Sequence, residues 1–175
     1  FHARMRTRML EFRFVHNIFS TSTHHAHPKD EIPLQVIHLS GERDELTLKK
    51  YYAQNGIQAC VFSFLHEMEK AYALADLVIS RAGAMALTEI ASWGLPVVLI
   101  PYPHAGGHQN ANAEFFAAHH PTYVIREENL SPKSFKKAIE TLLKEKRGDS
   151  LSFASEKIFN PQAAQQMVRE IECLK

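Results

Sequence analysis

Three loops hold the residues whose types and spacing can do chemistry. The first is Ser80-Arg81-Ala82-Gly83-Ala84-Met85-Ala86-Leu87-Thr88-Glu89. An apolar run ends at Ser80, small residues make a tight turn, and a helix is predicted from near Ala84. The first N–H groups of a helix have no intrahelical acceptor, and the helix dipole adds partial positive charge, so such a turn suits a phosphate. Gly83 and Ala84 allow a ligand close to the backbone. Glu89 lies one turn beyond Met85 and can face the same side, where a carboxylate can accept hydrogen bonds from the two hydroxyls of a ribose. The competing reading is a plain strand–turn–helix with Glu89 solvated.

The second loop, Pro101-Tyr102-Pro103-His104-Ala105-Gly106-Gly107-His108-Gln109-Asn110-Ala111-Asn112, opens another predicted helix. Gly106-Gly107 gives backbone freedom, and His108, Gln109 and Asn112 span the first turn. Gln109 and Asn112 share a face at i,i+3 spacing. Amides donate and accept at once, which fits the hydroxyls and acetamido group of a sugar, or else they are capping groups of a polar helix start. The third loop is Phe64-Leu65-His66-Glu67-Met68. Its backbone can read the edge of a nucleobase while Leu65 and Met68 pack on the face, although such residues are more often core. No Walker or dinucleotide glycine fingerprint, Asp-x-Asp metal motif or nucleophile elbow is present, so neither a metal, a cofactor nor covalent hydrolase chemistry is expected.

The elements that must position these loops are legible from residue 32 onward. Apolar runs at 34–39, 59–64, 77–80, 97–100 and 122–125 read as strands, with helices predicted at 43–54, 67–74, 84–92 and 108–118. Near-continuous apolar strands alternating with helices imply a parallel sheet covered on both faces, a doubly wound, Rossmann-like α/β domain. Ligands then bind at the carboxyl ends of the strands, where all three loops lie. Ser131-Pro132 and Asn160-Pro161 are start signals for two closing helices. Phe135, Ala138, Ile139, Leu142 and Leu143 form the stripe of the first, which Gly148 is expected to stop. Ala164, Met167, Val168 and Ile171 are predicted to form the buried stripe of the second.

Residues 1–31 are a separate, atypical segment, expected to be partly disordered, ahead of a binding domain over 32–175. They hold Arg4, Arg6, Arg8 and Arg13, five histidines and no glycine. Residues 10–16 alternate enough for a strand, whereas 20–28 is a polar stretch of loop character. A metal reading of His24-His25-x-His27 is possible on residue type, but a solvated loop is the better expectation. The absence of an initiator Met suggests a fragment or a processed product.

Composition narrows the function classes. With 175 residues, 45% hydrophobic and 22% charged, the chain has the size and make-up of about one globular domain. A net charge of +1 gives no electrostatic case for nucleic acid. No apolar run approaches a membrane span and no secretory signal opens the chain. Two cysteines make neither a disulfide framework nor a metal set, which points to a reducing, cytoplasmic setting.

Taken together, the segments resemble the C-terminal half of the family-28 glycosyltransferases. The matching pieces are Val36-Ile37-His38-Leu39-Ser40-Gly41, Phe64-Leu65-His66-Glu67-Met68, Ala75-Asp76-Leu77-Val78-Ile79-Ser80-Arg81-Ala82-Gly83-Ala84, Thr88-Glu89-Ile90, Gly94-Leu95-Pro96 and His108-Gln109-x-x-Asn112-Ala113. They cover about residues 32–172, in order. The resemblance implies one half of a two-domain GT-B fold that holds UDP-N-acetylglucosamine and contains no catalytic base. Leu65 and Met68 match the uracil-binding segment, and Ala84, Met85 and Ala86 the helix start whose amides meet the diphosphate. Glu89 matches the ribose-binding glutamate, and His108, Gln109 and Asn112 stand around the sugar; Arg81 and Gly83 lie within the same motif. Where this chain has Ala86 some relatives carry a hydroxyl, so one polar contact is expected to be absent.

By the same resemblance, the parent reaction adds N-acetylglucosamine to a lipid-linked acceptor in peptidoglycan synthesis, at the cytoplasmic face of the inner membrane. The acceptor site, membrane-facing patch and general base belong to an N-terminal domain that these residues do not match. The family also opens this half with a strand, a Gly-Gly-Ser-Gln-Gly-Ala phosphate loop and a helix, and residues 16–33 offer neither the glycines nor the helix. The expectation is an incomplete transferase chain that keeps the donor cradle. A donor-binding subunit of a split transferase and a non-catalytic nucleotide-sugar-binding remnant are the alternatives.

Overall fold

The computed structural model describes residues 11–16, 34–145, 158 and 160–173. Six strands form one sheet: β1 (Glu11–His16), β2 (Leu34–Leu39), β3 (Gln58–Phe62), β4 (Leu77–Ser80), β5 (Val97–Leu99) and β6 (Thr122–Val124). Six helices accompany them: α1 (Glu45–Gln54), α2 (Met68–Leu74), α3 (Ala84–Ser92), α4 (His108–Ala117), α5 (Pro132–Glu145) and α6 (Ala163–Cys173). The spatial order β3-β2-β1-β4-β5-β6 is that of a doubly wound sheet, whose switch point lies between β1 and β4.

Burial on both faces explains the unbroken apolar strands. In β4, Val78 packs into a cluster with Tyr72, Leu87, Ile90, Ala113 and Phe116, beneath α2, α3 and α4. Its neighbours Leu77 and Ile79 join Tyr52, Val98, Ala138, Ile139 and Leu142, beneath α1 and α5. Strand β5 divides likewise, with Val97 and Leu99 on one side and Val98 on the other. In the stripe predicted for α5, Ala138, Ile139 and Leu142 are buried, and Phe135 and Leu143 are half-buried against the same cluster. That helix begins with a reciprocal cap: the Ser134 N–H donates to Ser131 Oγ at 3.1 Å and the Ser131 N–H to Ser134 Oγ at 2.9 Å.

Strands β2–β3 and β4–β5–β6 pair in parallel, but β1 runs antiparallel to both neighbours, with Glu11 opposite Leu39 and Phe12 opposite Ile79. Adjacent parallel strands need a crossover of a dozen or more residues, usually through a helix. The sequence of residues 17–33 carries no helical pattern, and β2 pairs with β1 in the opposite sense. The strand predicted over residues 10–16 is β1; the remainder of the atypical segment, including His24-His25-x-His27, lies outside the described residues, as does Gly148.

Two expectations are corrected. Strand β3 ends at Phe62 rather than Phe64, because its partner β2 ends at Leu39 and the last bond, Ser40 N–H to the Phe62 carbonyl at 2.9 Å, exhausts the ladder. The stripe of α6 is not buried: Ala164, Met167, Val168 and Ile171 are all exposed, Met167 by 65%. Helical periodicity set that stripe correctly, but no described element packs over it. Asn160 does supply a turn ahead of the helix, its Oδ1 accepting from the Gln162 N–H at 2.9 Å.

Candidate functional site

Helix α3 starts at Ala84, shortly after β4 ends, with an extended Gly83 at its N-cap and no side-chain cap. The Leu87 N–H is bonded to the Gly83 carbonyl, so the amides of Ala84, Met85 and Ala86 precede the intrahelical ladder and face the carboxyl edge of the sheet. Met85 is 81% exposed and Ala84 and Glu89 are exposed too, so one face of α3 looks outward from Ala84 to Glu89. Ala86 instead turns its methyl into the core, leaving only its backbone for a ligand. Gly83 is half-buried with nothing within 4 Å of a Cβ built on it, which leaves the turn accessible.

Helix α4 meets the same turn. The consecutive left-handed glycines Gly106 and Gly107, at φ 58° and 81°, swing the chain from the exit of β5 into His108, a path that residues with a Cβ adopt only under strain. Gln109 and Asn112, on one face as their spacing predicts, bind the first loop to the second. Gln109 Oε1 accepts from the Ala82 N–H at 3.2 Å and the Tyr102 N–H at 2.9 Å, and Asn112 Nδ2 donates to the Ala82 carbonyl at 3.0 Å. The Gln109 NH2 and the Asn112 carbonyl oxygen lie outside these three bonds. His108 is exposed beside them.

Arg81 acts as a strut. Its Nη1 donates to the carbonyls of Ile100 and Pro101 and to Glu127 Oε2 at 3.0 Å, and its guanidinium stands 5.6 Å from the Tyr102 ring centre. Its charge is thus spent on joining the exits of β4, β5 and β6. Leu65 and Met68 flank the exit of β3, both half-buried, and Met68 packs against the core cluster beneath α2–α4.

Sequence reasoning missed Tyr72, whose hydroxyl donates to Glu89 Oε2 at 2.7 Å. The available signal was its position four residues after Met68, which puts both on one face of α2. Two buried histidines lie among the described residues away from these loops. His38 is 3.0 Å through Nδ1 from the Tyr52 hydroxyl, and burial pushes it down to about 4 against an opposing pull from Asp44. His120, against Phe116, is pushed down to about 4 by burial, the Pro121 backbone opposing. Burial also raises Tyr52 to about 12.

Comparison with known proteins supplies the family and the fold. Residues 13–167 match the glycosyltransferase family 28 C-terminal domain. A UDP-N-acetylglucosamine–N-acetylmuramyl-(pentapeptide) pyrophosphoryl-undecaprenol N-acetylglucosamine transferase of Halothermothrix orenii is 36% identical over 152 residues, which are 82% of this chain and 41% of that protein. One of the same name from Geobacter metallireducens is 37% identical over 140 residues, 79% of this chain and 38% of the relative. The crystal structure of Acinetobacter baumannii MurG superposes with a TM-score of 0.71 at 30% identity, covering 81% of this chain and 42% of that one. The chain thus spans about two-fifths of the length of these relatives.

Proposed function

Because the chain belongs to glycosyltransferase family 28, matched through its C-terminal domain, we propose that it is the donor-binding part of a MurG-type transferase. In this reading it holds UDP-N-acetylglucosamine, whose sugar passes to a lipid-linked acceptor in peptidoglycan synthesis at the cytoplasmic face of the inner membrane. The convergence of three elements on one edge of the sheet carries the reading: the uncapped start of α3, the exposed carboxylate of Glu89, and the amides of Gln109 and Asn112 bonded to Ala82.

Each part has one task. Leu65 and Met68 offer an apolar rest for uracil. Glu89 accepts from the ribose hydroxyls, and His108, Gln109 and Asn112 face the sugar. The amides of Ala84, Met85 and Ala86 meet the diphosphate. Transfer is a direct displacement that inverts the anomeric carbon, and negative charge grows on the UDP oxygen as the glycosidic bond breaks. Fixed N–H dipoles at a helix start are preorganised for that charge, so they favour the transition state over the bound ester. Arg81 contributes by bracing the loops rather than by touching phosphate. The group that deprotonates the acceptor belongs, in this reading, to the part of the relatives that the chain does not match. No helix among the described residues is long and apolar enough to cross a membrane.

The test is calorimetric titration with UDP-N-acetylglucosamine, UDP-glucose and UDP. The expected result is binding of all three with UDP-N-acetylglucosamine preferred over UDP-glucose; binding of none refutes the donor reading. The glycine-free sequence of residues 16–33 favours a second reading, a nucleotide-sugar-binding module without transfer, because the phosphate loop of the family is glycine-rich. Transfer to a lipid-linked acceptor after the matching N-terminal part of a relative is supplied would exclude it.

A further inference from the structure

We propose that Tyr72 is a positioning residue of the donor site: its hydroxyl holds the Glu89 carboxylate by Oε2, leaving Oε1 to meet the ribose. The inference rests on the ribose reading of Glu89 above. Tyr72 is 2% exposed and comes from α2, whereas Glu89 stands exposed on α3, so the 2.7 Å bond ties an outward-facing acid to a fixed, buried anchor. The ring is itself held, stacked at 20° and 6.3 Å on Trp93 at the end of α3. Both the polar and the aromatic ends of Tyr72 therefore grip α3.

The physical gain is preorganisation. A free glutamate surrenders rotamer entropy when a ligand immobilises it, and a carboxylate already bonded through one oxygen has surrendered part of it beforehand. The phenol also leaves lone pairs on Oε1, so fixing the group does not consume its capacity to accept from hydroxyls. Because Met68 and Tyr72 lie one turn apart on α2, the same helix sets both the surface proposed for the nucleobase and the orientation of the acid proposed for the ribose. Tyr72 touches no reacting atom and acts through Glu89.

Tyr72→Phe keeps the ring and its stack on Trp93 and removes only the donor. Titrations of the full chain with UDP and with 2′,3′-dideoxy-UDP, which lacks both ribose hydroxyls, separate positioning from bulk structure. Tyr72→Phe is expected to weaken UDP about three- to tenfold, to leave 2′,3′-dideoxy-UDP unchanged, and to add nothing on a Glu89→Ala background. Equal weakening of both ligands, or an unchanged UDP affinity while Glu89→Ala alone weakens it, overturns the role of Tyr72 and leaves the ribose reading standing. If Glu89→Ala itself leaves UDP affinity unchanged, the ribose reading falls and the positioning role falls with it.

Discussion

Acidification should destabilise this protein between neutral pH and about pH 4, and two buried histidines set the window. His38 and His120 are both buried, and each is held down to about 4 from an ordinary value of 6.5. A folded value below the unfolded one means that between the two the unfolded chain binds the extra proton. Stability is therefore complete above about pH 6.5, falls as pH drops through the window, and flattens below about pH 4. The gap is worth about 3 kcal/mol for each histidine. The pair together removes about 6 kcal/mol, comparable with the whole stability of about 5–15 kcal/mol usual for a domain. The assay is urea denaturation at pH 7.5, 5.5 and 4.5, in wild type and in His120→Leu, which keeps an apolar group against Phe116 and cannot titrate. The variant should lose about half as much stability as wild type on going from pH 7.5 to 4.5. A wild-type stability that is flat over this range, or an equal loss in the variant, would refute the reasoning.

Other expectations follow from the same contacts. Glu89→Ala should weaken UDP by about 1–3 kcal/mol, measured calorimetrically, as expected for a lost hydrogen bond to a charged group. Asn112→Ala removes the bond to the Ala82 carbonyl and should cost about 1 kcal/mol of stability in denaturant while reducing the preference for UDP-N-acetylglucosamine over UDP. Leu99→Ala, at a fully buried position of β5, should destabilise by about 2–5 kcal/mol. Ile171→Ser, on the exposed face of α6, should change stability by less than about 0.5 kcal/mol, and a larger loss would mean that this face is covered in solution.

How far the sequence carried depends on what each signal encodes. Strands β2 and β4 were read with their observed bounds because a compact apolar run marks a strand inside a sheet, and neither lies at an edge. Phe64 misled the end of β3 since it is apolar yet 68% exposed: composition cannot tell where a partner strand stops. The face of α6 was legible from periodicity, but not what lies over it, because period sets a direction on the helix and says nothing of its neighbours. Strand sense is likewise invisible in an alternating pattern, so the antiparallel run of β1 was not read. At the site, the turn at Gly83 and the shared face of Gln109 and Asn112 were local and readable. Tyr72 was not, since its partner Glu89 is 17 residues away and the contact exists only once α2 and α3 pack side by side.

The reversed strand also decides how the sheet holds together. Hydrogen bonding divides it into a parallel pair, β2–β3, and a parallel trio, β4–β5–β6, and among the described residues β1 is the sole backbone ladder between them. A chain beginning after His16 would expose two inner edges, one on β2 and one on β4, each a row of unpaired amides and carbonyls next to apolar side chains. Such edges are templates for another chain. Strand β1 thus acts as a seam, whose removal would turn one continuous sheet into two adhesive half-sheets prone to self-association.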